Sequence, residues 1–179
     1  MKLVKYVLDS SAFIGGFLPE EDEYFTVHEV IDEVGDDISK ERLSYFLNSE
    51  KIKIKDPKQE NIDKVVKKTM ESGDNLSLTD IKIIALSLEL DSSIISEDYG
   101  IQNVSSMLNI RFKSIRELGI KKIIWWEYYC MGCKKKYSKD KKICVDCGNI
   151  IKRRPITNKY WLKLIRGYLL MPYNNKIYI

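Results

Sequence analysis

This chain of 179 residues contains a single histidine, His28. That scarcity excludes histidine-centred catalysis and histidine-built metal sites. His28 precedes the glutamates of a helical stretch and is read as partly exposed and dispensable for chemistry. Neither a G-x-x-x-x-G-K-[ST] loop nor a G-x-G-x-x-G turn occurs, so nucleotide-driven and dinucleotide-dependent reactions lack their phosphate cradle. No apolar run approaches the length of a membrane span. The opening MKLVKYVLDSS has too short an apolar stretch for a signal peptide and meets an aspartate at once. A cytoplasmic protein without a membrane partner is the expectation. Acids are scarce at one end only. Residues 121–179 hold three (Glu127, Asp140 and Asp146) against 15 Lys/Arg, whereas residues 1–120 hold 23 against 15. An acidic body at −8 is thus joined to a segment at +12. Such asymmetry predicts a catalytic or metal-binding domain followed by a module that binds a polyanion.

Cysteine is equally sparing, and its placement is informative. The four residues, Cys130, Cys133, Cys144 and Cys147, form two Cys-x-x-Cys pairs ten residues apart in YYCMGCKKKYSKDKKICVDCGN. Two facing knuckles of this kind give the tetrahedral four-sulfur shell that zinc prefers. All four positions are then occupied by protein, which marks structural zinc. Four thiolates also suit an iron–sulfur cluster, and two disulfides are the alternative in an oxidising compartment. The module is too small to fold on apolar burial alone, so a metal must supply much of its stability.

Along the first 120 residues, buried-strand patterns alternate with helical ones. Lys2–Leu8 reads as a strand ending at Asp9-Ser10-Ser11, Thr26–Val34 as a helix with an apolar stripe, and Ile38–Glu50 as a second helix. Lys51–Lys55 alternates like a strand, and Glu60–Glu71 is an amphipathic helix closed by Gly73. Ser77 caps a helix to Leu90 with Asp80 at its third position. Ser92–Ser96 is another buried strand, followed by a helix over Val104–Leu108 and a strand over Ile110–Lys113. This order predicts an α/β sandwich with a mainly parallel sheet. Composition shifts near Gly119, suggesting a nuclease-sized domain over 1–119, a metal ribbon over 120–155 and a tail over 156–179.

In open parallel sheets, functional groups gather beyond the carboxyl ends of the strands. Asp9 and Asp98 stand at two such ends and are the first candidates for a metal cluster. Asp80 has a sufficient explanation as a helix cap. On the wheel of the 26–34 helix, Glu29 and Asp32 point to solvent while Glu33 flanks the apolar stripe, which makes Glu33 its best ligand candidate. Clustered carboxylates resist ionising together until a divalent cation enters. Their oxygens select Mg²⁺ or Mn²⁺. An ion of that kind activates water and stabilises charge developing on a phosphodiester during in-line displacement.

These residues match a known pattern. VLDSS, EVIDEV, LSLTDIKIIALSLEL and IISEDYGIQN resemble the PIN-domain ribonucleases. The last two, followed by a short RF strand and a four-cysteine ribbon, resemble the archaeal-type Nin-one-binding endonuclease family. The resemblance covers about residues 3–155. It implies a PIN-like α/β/α sandwich with a small zinc ribbon, and a Mg²⁺- or Mn²⁺-dependent endoribonuclease. That activity would mature the 3′ end of precursor small-subunit ribosomal RNA, leaving 5′-phosphate and 3′-hydroxyl ends. The family's four acids fall on Asp9, Glu33, Asp80 and Asp98, which lifts Asp80 from cap to ligand. Members often carry a second aspartate where this chain has Glu97. Ser10, Ser96, Glu97 and Asn103 are expected to support the acids.

Phosphate contacts are expected from Lys134, Lys135, Lys136, Lys139, Lys141, Lys142, Lys152, Arg153 and Arg154. Trp125, Trp126, Tyr128 and Tyr129 lead into Cys130, and one or two of them could stack on unpaired bases. The tail carries Tyr160, Trp161, Leu164, Ile165, Tyr168 and Leu169 at helical spacing. It packs on the body or docks a ribosome-assembly protein on the pre-ribosomal small subunit. Two other functions fit the pattern: a toxin-like PIN ribonuclease, and a catalytically silent assembly factor that only binds RNA.

Overall fold

The computed structural model describes residues 3–116, 118–139 and 141–156. The chain divides into two compact units, with the break after Trp125. The expected tail helix lies outside the described residues.

The first unit is built on a five-stranded sheet of β1 (Lys5–Leu8), β2 (Glu23–Thr26), β3 (Ile52–Ile54), β4 (Ser93–Ile95) and β5 (Phe112–Lys113). Their spatial order is β3-β2-β1-β4-β5, and every pairing is parallel. Helices α1 (Ser10–Ile14), α2 (Glu29–Glu33), α3 (Asp37–Asn48), α4 (Gln59–Ser72), α5 (Leu78–Leu90) and α6 (Tyr99–Met107) make the crossovers. Val7, Leu8, Ile94, Ile83, Ile84 and Leu86 are fully buried, so β1, β4 and α5 form the centre of the core. That explains why α5 is apolar on most of its circumference: only a helix buried on several sides tolerates that pattern. Gly73 ends α4 at φ 75°, and its N–H closes on the Thr69 carbonyl, the usual left-handed stop.

Three elements depart from expectation. The helix expected over Val104–Leu108 begins earlier, as Tyr99–Met107, because Asp98 caps it. The helix expected over Thr26–Val34 is only α2, because Thr26 belongs to β2 and its hydroxyl donates to the Leu8 carbonyl at 2.9 Å. A four-residue strand is too short for its alternation to outweigh the helical spacing that follows it. The turn after β1 also folds into α1, a single helical turn that buries Ala12 and Phe13.

The second unit contains a three-stranded antiparallel sheet of β6 (Trp126–Cys130), β7 (Lys136–Tyr137) and β8 (Ile151–Pro155), in the order β7-β6-β8. Among its described residues the buried apolar groups are Cys130, Cys144 and Ile151, with Tyr128 and Tyr137 packed beside them. This is a ribbon whose centre is sulfur.

Candidate active site and metal centre

Strand β1 lies between β2 and β4, where the direction of sheet growth reverses, so its carboxyl end opens on the crevice of the fold. Register pairs Leu8 with Ile95, which places Asp9 beside Ser96. Asp9 is 4% exposed and firmly oriented. Its Oδ1 accepts the Ser10 N–H at 2.7 Å, with the Ser10 hydroxyl at 3.3 Å. Its Oδ2 accepts two hydroxyls, Ser11 at 2.7 Å and Ser96 at 2.8 Å. Each hydroxyl in turn accepts a backbone N–H from the next acidic loop, Glu97 at 2.9 Å and Asp98 at 3.0 Å. Two side chains thus lock Asp9 to the loop after β4. The sequence pointed to Ser10 and Ser96. Ser11 escaped notice because only the turn of α1 brings its hydroxyl back onto Asp9.

Glu97 and Asp98 face different tasks. A Glu97 oxygen accepts the N–H groups of Ile115 and Arg116 and so ties the loop after β5. Asp98 caps α6: its Oδ1 accepts Gly100 N–H at 2.6 Å and Ile101 N–H at 2.9 Å, and the residue remains exposed. Asp80, half-buried in the first turn of α5, completes a capping box with Ser77. The Ser77 N–H reaches its Oδ2 at 2.7 Å, and its own N–H reaches the Ser77 hydroxyl at 3.1 Å. Burial pushes its carboxyl above the ordinary range despite the two Ser77 bonds, and the charges of Asp98 and Asp9 push it further. Asp9 and Asp98, from two other segments, thus lie close enough to Asp80 for their charges to act on it. Among the described residues, no lysine or arginine forms an ion pair with any of them.

An all-oxygen donor set with uncompensated charge fits a hard divalent cation. Mg²⁺ keeps several waters and uses one or two carboxylates directly.

The helix that supplies Glu33 differs from its wheel. Glu33 is exposed at the end of α2, and its side chain makes no hydrogen bond among the described residues. Glu29, expected to face solvent, is half-buried and bonded to Lys82 of α5, which also lies 3.6 Å from Asp56. The Lys82 hydrogen bond, despite partial burial, holds the Glu29 carboxyl below its ordinary range. This pair joins the two helices that carry Glu33 and Asp80. Asn103 is turned away from the acids: its amide donates to Asp74 and to the Ile124 carbonyl, both at 2.7 Å. Asp74, 3% exposed, is a buried acid that the sequence did not single out.

In the ribbon, Cys130 and Cys147 sulfurs lie 3.3 Å apart and those of Cys133 and Cys144 3.6 Å apart. All four sulfurs lie within 4.8 Å of one another. Tetrahedral corners about 2.3 Å from a zinc ion are about 3.8 Å apart, so the cage fits that ion. Polar groups turn toward the sulfurs as well. The Gly132 N–H lies 3.3 Å from Cys130 Sγ, and the Asn149 amide 3.6 Å from Cys147 Sγ. Hydrogen bonding, chiefly from the Asn149 backbone, lowers the Cys147 thiol to about 6, whereas Cys133, despite a Lys135 backbone bond, is pushed up to about 12 by burial and the neighbouring sulfurs. A Cβ at Gly132 would come within 2.5 Å of the Asn149 amide nitrogen, the end of an exposed side chain.

The basic residues of the ribbon divide. Lys135 pairs with Asp146 at 2.9 Å, while Lys136 at 2.6 Å and Arg154 at 2.8 Å both hold Glu127. Arg153 sits over the Trp126 ring at 4.4 Å and Arg154 over Tyr129 at 4.3 Å. Lys134 bonds the Met131 carbonyl. Lys141, Lys142 and Lys152 are exposed, and Lys139 is half-buried.

Comparison with known proteins bears on both units. Residues 6–90 match the family model described as the PIN domain of ribonuclease. Endoribonuclease Nob1 of Pyrococcus abyssi is 37% identical over 156 residues, covering 85% of this chain and 94% of that protein. Endoribonuclease Nob1 of Methanocaldococcus jannaschii is 40% identical over 157 residues, covering 86% of this chain and 79% of its own length. Ribonuclease VapC1 of Thermoplasma acidophilum is 37% identical over 153 residues, covering 83% of this chain and 77% of that protein.

Proposed function

The chain belongs to the Nob1 family of PIN-domain endoribonucleases, and from that premise we propose that it cleaves precursor small-subunit rRNA at its 3′ end during ribosome biogenesis. The observation that carries this substrate is that three Nob1 endoribonucleases, at 37–40% identity, match 84–86% of the chain; the VapC1 ribonuclease matches 83% of it, so the extent of the likeness alone does not choose between them.

Asp9, Glu33, Asp80 and Asp98 are the residues assigned to hold Mg²⁺ or Mn²⁺. A bound ion would supply Lewis-acid stabilisation of the scissile phosphate and a water of lowered pKa. The protein's part is positioning. Ser10, Ser11 and Ser96 fix the Asp9 carboxylate, Ser77 fixes Asp80, and the α6 backbone fixes Asp98. Glu97 ties the loop after β5, whereas Asp98 lies close enough to Asp80 for its charge to act there, so Asp98 is assigned as the ligand and Glu97 as its support. The four cysteines hold one structural zinc. The exposed lysines of the ribbon supply phosphate contacts, and RNA affinity falls as salt rises. The division of labour is a nuclease over about 1–125 and a ribbon over 126–155. A cytoplasmic, pre-ribosomal setting follows from the substrate.

The match to the VapC1 ribonuclease favours a second substrate class, and one assay separates the two. The protein is incubated with precursor small-subunit rRNA spanning the 3′ junction, with and without Mn²⁺, beside tRNA and mRNA. Cutting at the mature end only when Mn²⁺ is added is the expected outcome. Preferential cleavage of tRNA or mRNA would establish the toxin-like activity instead. Binding without cutting would identify a silent assembly factor.

A further inference from the structure

Two consecutive buried amides on α6, Gln102 at 0% and Asn103 at 2% exposure, are unexplained by packing alone. Every polar atom of Gln102 is engaged, and its partners lie on three different segments. Its Nε2 donates to the Ser96 carbonyl at 3.0 Å and to the Ser114 hydroxyl at 2.9 Å, while its Oε1 accepts the Ile120 N–H at 2.8 Å. Ser96 is the residue whose hydroxyl holds both Asp9 Oδ2 and the Asp98 N–H. Gln102 therefore grips, from behind, the residue that joins two of the candidate ligands. Asn103 repeats the pattern one residue on. Its amide donates to the Ile124 carbonyl and its Oδ1 accepts the Ile124 N–H at 2.8 Å, the bonding of a one-residue bridge. Gly119 permits the close approach, since a Cβ there would stand 2.7 Å from Phe112 Cε2 and 3.0 Å from Gln102 Oε1.

Residues 119–124 are thereby strapped across α6 and belong to the first unit, although composition assigns them to the ribbon. We propose that Gln102 is a positioning residue for the metal site: it fixes the Ser96–Asp98 loop against the strap, so that the segment leading into the ribbon sets the geometry of the carboxylates. The inference rests on the assignment of Asp9, Asp80 and Asp98 as ligands. Groups behind metal ligands typically change metal affinity by about 10–100-fold when lost. A buried amide replaced by an apolar isostere leaves the Ser96 carbonyl and the Ile120 N–H without partners, so the loop is freed to move.

The test is Mn²⁺ binding to full-length, zinc-loaded protein by calorimetry, with no RNA present. Gln102→Met is expected to fold, retain its zinc and bind Mn²⁺ roughly tenfold more weakly. Ser114→Ala, which removes one partner and leaves α6 intact, is expected to weaken binding in the same direction by a smaller factor. Val104→Ala, on the same helix and fully buried, is expected to lower the melting temperature without weakening Mn²⁺ binding. Equal affinity in wild type, Gln102→Met and Ser114→Ala, with Asp9→Asn impaired, overturns the positioning role and leaves the ligand assignment standing. So does a Val104→Ala loss as large as that of Gln102→Met. If Gln102→Met does not fold, Ser114→Ala decides. Failure of wild type itself to bind Mn²⁺ overturns both.

Discussion

Asp80→Asn is expected to abolish cleavage and, in buffer without added divalent ions, to raise the melting temperature at neutral pH. Loss of a group that helps place several kcal/mol of metal stabilisation on the transition state lowers the rate on the order of 10³-fold. The stability gain has a separate cause. Burial, with the charges of Asp98 and Asp9, raises the folded Asp80 carboxyl above its ordinary value of 3.8. A group that holds its proton more tightly when folded favours the fold below the unfolded value and disfavours it as pH rises through the folded one. At neutral pH the charged carboxylate is therefore a cost that the amide removes. The advantage of Asn shrinks as pH falls through the raised value and is gone below about 4. The amide oxygen still accepts the Ser77 N–H, so the cap survives. Melting curves across pH, beside cleavage rates, check both halves. An Asp80 that served only as a cap would show neither the loss of activity nor the gain in stability.

The second large effect is removal of zinc. With Cys130, Cys144 and Ile151 as the buried apolar residues described in the ribbon, hydrophobic burial cannot hold β6, β7 and β8 together. Structural zinc supplies roughly 10–16 kcal/mol in small modules. A zinc-selective chelator, or Cys130→Ser, is expected to release one zinc per chain and unfold the second unit. The first unit keeps its own sheet and core. Hydrogen exchange should show protection lost over 126–156 and kept in β1, β4 and α5. RNA affinity should fall with the ribbon, whereas Mn²⁺ binding at the acids should persist. A ribbon that stays protected after zinc is removed would refute the account of its stability.

What the sequence made legible was whatever local pattern encodes. Ser77-x-x-Asp80 announces its capping box, since both partners lie within one turn. The cysteine spacing announces its cage, and aspartates at strand ends announce the crevice. Groups that act across long separations left no trace. Ser11 reaches Glu97 and Gln102 reaches Ile120 through tertiary packing. Glu29 finds Lys82, a partner 53 residues away, and a wheel drawn over too long a helix had aimed it at solvent. Similarly, the charge of the ribbon could be counted from sequence, but not the engagement of Lys135, Lys136 and Arg154 by Asp146 and Glu127. The fold emerges from repeated local signals. The site is assembled from single residues of distant segments, where periodicity carries little.

The central claim is that Asp9, Asp80 and Asp98 converge on a divalent ion, with Glu33 completing the set. Anomalous diffraction from crystals soaked in Mn²⁺ measures this directly. The account predicts a peak at about 2.0–2.4 Å from carboxylate oxygens of at least two of these residues, lost in Asp9→Asn crystals. Manganese bound elsewhere, with the crevice beyond β1 and β4 devoid of density in catalytically active protein, would contradict it.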